Sequence, residues 1–141
     1  MMGGYEDNIP KGIKFFNFDC CDLKKMKEVM KGVDIVYHCA ATAHEGLSVF
    51  SPYEISKNNF LASVSVFSAA VSHKVKRIIF CSSMARYGNQ NTPFTEDMNP
   101  KPVDPYGISK VAAENVLMNL CDLNNIEWTI AVPHNIIGPR Q

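Results

Sequence analysis

Four short apolar runs, separated by stretches that read as helices, decide what this chain can fold into. Residues 13–18 (IKFFNF), 34–41 (DIVYHCAA), 77–82 (RIIFCS) and 127–133 (EWTIAVP) have the length and the β-branched and aromatic content of strands. Asp22 can cap a short helix running to about residue 31, with Gly32 as its stop. Pro52 opens a long helix to about residue 72 that places Ile55, Asn59, Ala62, Val66 and Ala69 on one stripe. Asp104 and Pro105 fall at the N-cap and first position of a third helix reaching about residue 123. Residues 42–51 and 83–104 read as loops. Strands that are nearly continuously apolar and alternate with helices predict an α/β fold, a doubly wound parallel sheet covered on both faces. Ligands of such sheets collect outside the carboxyl ends of the strands. That rule directs attention to Asp19, to residues 39–42, to residues 82–84 and to residues 133–135.

Composition narrows the function classes. The 141 residues fit one domain, and a 46% hydrophobic content can fill its core. Fourteen basic and fourteen acidic side chains cancel, leaving no basic footprint for nucleic acid or an anionic membrane. No apolar run approaches the roughly 18 residues of a membrane span. The start, MMGGYED, lacks the basic and apolar regions of a signal peptide. Five cysteines, an odd number with no C-x-x-C, read as small buried hydrophobes in a reducing cytoplasm, and the four scattered histidines give no metal-ligand spacing.

The chemistry gathers around Tyr106 and Lys110, a Y-x-x-x-K pair at the start of the third helix. A spacing of four sets both side chains on one helix face. A nearby ammonium favours the phenolate and lowers the tyrosine pKa, which suits the phenol to acid–base work on a hydroxyl. Ser82 and Ser83 end the strand before that helix, where a serine can hydrogen-bond the hydroxyl or carbonyl that Tyr106 serves. Ser83, Tyr106 and Lys110, in this order and on these elements, are more specific than any one of them.

With these residues in view, the sequence resembles the extended short-chain dehydrogenase/reductase family, in its nucleotide-sugar epimerase/dehydratase branch. The resemblance is carried by Asp19, H-C-A-A at 38–41, P-Y-E-I-S-K-N-N at 52–59, C-S-S-M-A-R-Y-G at 81–88, P-Y-G-I-S-K at 105–110 and N-I-I-G-P-R-Q at 135–141. It covers essentially the whole chain and implies a Rossmann-type sheet with NAD lying across its carboxyl edge. Asp19 and Cys20 would then flank the adenine. Cys39, Ala40 and Ala41 would line the diphosphate and ribose, Asn59 would face the nicotinamide region, Ser82 would contact the cofactor and Pro133 would border the carboxamide. Lys110 would bind the ribose hydroxyls and tune Tyr106, the acid/base. Ser83, Met84, Tyr106 and Asn135 would meet the nucleotide sugar, with UDP the favoured nucleotide. No metal is implied. Full-length members often form homodimers through the two long helices.

Dehydratases of this family carry an Asp-Glu pair directly after the catalytic Ser/Thr, where Met84 and Ala85 stand here. Neither moves a proton, so the pattern is similar to that of 4-epimerases, with a dehydratase or reductase, or a catalytically inert binding module, as the alternatives. Ala43 replaces a lysine common in galactose-type members, and Val132-Pro133-His134-Asn135 replaces the usual Arg-Tyr-Phe-Asn, so the sugar stays open. The family's opening strand, G-x-x-G-x-x-G turn and helix have no counterpart in the sequence. The expectation is the central part, residues 1–141, of one NAD(P)-binding domain, from an enzyme of roughly twice this length and inactive by itself. In the usual strand order, 13–18 would then lack a pairing partner and 34–41 would form a bare apolar edge.

Overall fold

The computed structural model describes residues 6–139. Helices α1 (Leu23–Val29), α2 (Glu45–Ser48), α3 (Pro52–Ser56), α4 (Ala62–Ser72) and α5 (Pro105–Asn124) alternate with strands β1 (Ile35–His38), β2 (Arg77–Cys81) and β3 (Glu127–Ala131). The strands form one parallel sheet in the order β1-β2-β3, with His38 opposite Phe80 and Cys81 opposite Ala131.

Local chemistry explains the element ends. Asp22 caps α1 by accepting from the Lys25 amide, and Gly32, at φ +75°, turns the chain away beyond it. The Asp104 carboxylate accepts from the Gly107 amide at 2.9 Å, Pro105 opens α5, and Asn125 in the left-handed region closes it. The second predicted helix keeps its stripe, with Ile55, Asn59, Ala62, Val66 and Ala69 all buried. It is nonetheless interrupted by a π-helical turn, Lys57–Leu61, between α3 and α4. Such turns are frequent at functional sites.

Two expectations are corrected. Residues 13–18 form no strand. They run as an irregular segment with Ile13 and Phe16 more than half exposed, because no strand lies beside them to complete a hydrogen-bond ladder. The second run shrinks to Ile35–His38, and the sheet is covered on one face. Ile78 and Phe80 of β2 are fully buried in a core with Met26 of α1 and Met30 just beyond its end, Val66 and Phe67 of α4, and Leu117 and Cys121 of α5. On the opposite face Ile35 and Tyr37 stay exposed, Tyr37 at 72%. Handedness supplies the reason. Right-handed crossovers between strands laid down in sequential order put both connecting helices on the same side. Nothing in the order β1-β2-β3 runs the other way to bring a second layer. The bare edge falls where expected, at β1.

A close approach sets the loop after β2 against α5. Ser83 caps a 3₁₀ turn, Met84–Tyr87, whose Ala85 carbonyl lies 2.8 Å from where a Cβ on Gly107 would sit. Only glycine at 107 lets this turn and the start of α5 meet so closely.

Candidate active site

The carboxyl ends of β1, β2 and β3 open into a cleft of about 700 Å³. Cys39, Ala41, Ser82, Ser83, Met84, Tyr106, Lys110, Pro133 and Asn135 line it together. A neighbouring hollow of about 480 Å³ holds Asp19, Cys20 and Ala40, with Ala41 shared by both. Apart from Asn59, the residues singled out for cofactor and substrate thus fall around one sheet edge, as the topology requires.

Helix α5 supplies the core of the site from a single face. Tyr106, Lys110 and Glu114 follow one another at intervals of four, and all three are buried. The Lys110 Nζ donates to the Cys81 carbonyl at 2.8 Å and lies 4.9 Å from the Phe80 ring centroid and 5.9 Å from that of Tyr106. Burial lowers the Lys110 pKa to about 8, against the opposing pull of Cys81, Cys39 and Glu114. Tyr106 packs with Ile55 and Ala85. Burial raises its phenol above the ordinary value, the Ser83 hydroxyl pulls it back, and Glu45 and Asp104 push it further up. This corrects the expectation that Lys110 lowers the Tyr106 pKa. Lys110 is engaged with the Cys81 carbonyl, and desolvation of the phenolate outweighs any help from it.

Glu114 escaped the sequence reading. Its carboxylate accepts from the Ser82 hydroxyl and pairs with Arg86 at 3.1 Å, with the Glu114 side chain 3% exposed. A Y-x-x-x-K-x-x-x-E run lies in the sequence as one helix face, but nothing local to a helical glutamate shows that it is buried. Glu45, which lines the cleft from α2, was likewise hidden in a segment read as loop. Ser48 of the same short helix holds it in place, donating to the Glu45 carbonyl at 2.7 Å beside the Asp104 carboxylate. His134, Ile136 and Ile137 complete the wall beyond β3.

Asn59 lines neither space. It is fully buried in the π turn, with its Oδ1 accepting from the Thr42 amide at 2.8 Å and its Nδ2 donating to the Thr42 carbonyl at 3.2 Å. Each end of its amide makes one bond to the Thr42 backbone, so Asn59 clamps the segment after β1 to the π turn rather than facing the cleft, which corrects its placement beside the nicotinamide. Asp19 turns its carboxylate onto the Cys21 amide at 2.8 Å, which holds its pKa below the usual range, with Lys57 at 3.9 Å.

His38 ends β1 under the cleft. It is stacked on Phe80, meets Phe67 edge-on, and lies 2.9 Å from the Ser63 hydroxyl. Ser63 gives its proton to the Asn59 carbonyl, so His38 Nε2 is the donor to Ser63. Burial, with Lys110 adding to it, drops the His38 pKa to about 4. The unfolded chain protonates near 6.5, so the His38 contribution is intact above that pH and is lost as pH falls toward 4. Between pH 6.5 and 5 it should remove on the order of 2 kcal/mol of stability. Urea denaturation of wild type and His38→Gln across that range checks it, and parallel pH slopes would refute it.

A parallel sheet with a serine at one strand end, facing a tyrosine and a lysine one helical turn apart, is the arrangement of the short-chain dehydrogenase/reductase type. The family described as NAD dependent epimerase/dehydratase matches residues 4–141, and the chain belongs to it. It is 29% identical to UDP-glucose 4-epimerase of Streptomyces lividans over 98% of this chain and 43% of that protein. It is 32% identical to human dTDP-D-glucose 4,6-dehydratase over 91% of this chain and 37% of the relative. The crystal structure of Thermus thermophilus UDP-glucose 4-epimerase in complex with NAD superposes with a TM-score of 0.95 at 29% identity, covering all of this chain and 47% of that one. The chain thus spans less than half the length of these relatives. The expectation of a Rossmann-type sheet, present here in part, is borne out. Among the described residues no helix is long and apolar enough to cross a membrane.

Proposed function

We propose that the enzyme containing this chain is an NAD-dependent 4-epimerase of UDP-hexoses. The observation that carries the reading is the meeting of Ser83, Tyr106 and Lys110 in one cleft where Met84 and Ala85, the next two residues, offer no proton. The UDP-glucose 4-epimerases among its relatives support the substrate class.

The residues present suit the nicotinamide half of the cofactor. Small side chains at Cys39, Ala40 and Ala41 allow close approach to the strand ends. The buried Lys110 ammonium has one protein acceptor among the described residues and protons left for ribose hydroxyls. When bound, NAD supplies a reversible hydride acceptor. Tyr106 holds, at its phenolic oxygen, the proton that leaves and returns to the sugar 4-hydroxyl, and Ser83 orients that hydroxyl. Asn135 reaches the sugar nucleotide from the segment after β3. The sequence carries no glycine-rich pyrophosphate turn, so the 141 residues alone are expected to be inactive. In the full-length enzyme the long helices, α3–α4 and α5, would form a homodimer contact.

Product analysis on the full-length enzyme tests the reading. UDP-glucose should equilibrate with UDP-galactose, with no net NADH and no loss of water. A 4-keto-6-deoxy product would replace it with a dehydratase, and stoichiometric oxidation of added NADPH with a reductase.

A further inference from the structure

The floor of the cleft holds a feature that the epimerase chemistry does not use. The Sγ atoms of Cys39 and Cys81 lie 3.4 Å apart, one just beyond the end of β1 and the other at the end of β2. Register explains the meeting. His38 pairs with Phe80, so the next residue on each chain stands side by side on the same face. Neighbouring strands lie about 4.8 Å apart, within the reach of a disulfide, whose Cα atoms are separated by roughly 4.4–6.8 Å. The two sulfurs are not bonded to each other, and Cys39 is exposed to the cleft. Cys121 is buried in the core, and Cys21 points its thiol at the Lys57 carbonyl.

We propose that Cys39 and Cys81 are a redox modification site, a dithiol that peroxide converts into a disulfide joining β1 to β2 beneath the cleft. Cys39, the exposed partner, attacks hydrogen peroxide as its thiolate. The O–O bond breaks, one water leaves, and Cys39 becomes a sulfenic acid. The Cys81 sulfur then attacks the Cys39 sulfur, the S–O bond breaks, and the second water leaves. Two thiols lose two electrons and two protons, peroxide gains both, and one S–S bond is formed. Burial and the neighbouring Cys81 thiol hold the Cys39 thiol above its ordinary pKa, and Lys110, hydrogen-bonded to the Cys81 carbonyl, pulls the other way, so the closeness of the two sulfurs carries the proposal. The proposal stands independently of the sugar assigned above.

Peptide mapping of the folded chain after brief treatment with hydrogen peroxide tests it without any assay of activity. The expected result is a Cys39–Cys81 linked peptide, lighter by two hydrogens than the reduced pair, with Cys121 still free. Cys39→Ala and Cys81→Ala should each abolish that peptide and leave a sulfenic acid trappable by dimedone only in Cys81→Ala. The wild-type map decides the matter even if a variant folds poorly. Linkage of Cys20 to Cys21 alone, or separate overoxidation of Cys39 with Cys81 unchanged, would overturn the proposal.

Discussion

Tyr106→Phe in the full-length enzyme is expected to lower kcat by about 10²–10⁴-fold, the usual worth of a positioned acid/base. The ring packs against Ile55 and Ala85, and phenylalanine keeps those contacts, so the fold should hold. Only the hydroxyl leaves, and with it the atom proposed above to carry the sugar's proton. Affinity for the nucleotide sugar should change by a few-fold at most, because most of the binding surface is untouched. Steady-state kinetics beside equilibrium binding separates the two quantities. A variant retaining a tenth or more of wild-type kcat would remove Tyr106 from the chemistry. Lost binding with unchanged kcat would make it a substrate anchor instead.

Glu114→Ala should be among the most destabilising single changes in the chain, by about 3–5 kcal/mol, the usual cost of breaking a buried ion pair from one side. The carboxylate is the shared acceptor for the Ser82 hydroxyl and the Arg86 guanidinium. Its removal leaves the largely buried Arg86 guanidinium with only the Tyr87 ring beside it and no counter-charge, and a buried hydroxyl without its acceptor, both more costly than the pair itself. Glu114→Gln should fall between, since an amide still serves Ser82 but no longer neutralises Arg86. Urea denaturation of the three proteins gives the ranking. A loss under about 1 kcal/mol for the alanine variant would mean that Arg86 escapes to water, as exposed ion pairs allow.

The fold was legible in the sequence wherever a local pattern and its tertiary setting agreed. Asp22, Asp104 and Pro105 are capping chemistry complete within a few residues, and the helices begin where those residues place them. The Ile55-to-Ala69 stripe survives even a π turn. The run 13–18 misled because strand propensity is only an offer to pair, and its acceptance depends on a neighbour. The two-sided burial of the sheet misled for a similar reason, since apolar strands report what could cover them rather than what does. At the site, residue type and spacing were enough to single out Ser83, Tyr106 and Lys110 together, and the structure brings all three to one cleft. Asn59 and Glu114 were misjudged or missed because their roles lie in partners distant in sequence, the Thr42 backbone for one and Ser82 with Arg86 for the other.

The three consecutive residues that leave β2 each answer to a different turn of α5. The Cys81 carbonyl holds Lys110, the Ser82 hydroxyl holds Glu114, and Ser83 stands with Tyr106 in the cleft. The pins at Lys110 and Glu114 are one turn apart, so sliding the helix by a single residue, about 1.5 Å, would break both at once. The helix therefore works as a ruler read against two fixed marks, and the tolerance on the phenol's position is inherited from bonds that never touch a substrate. Mutational noise in α5 should consequently be felt as lost calibration, with the reactive oxygen present but out of place, well before it is felt as lost structure.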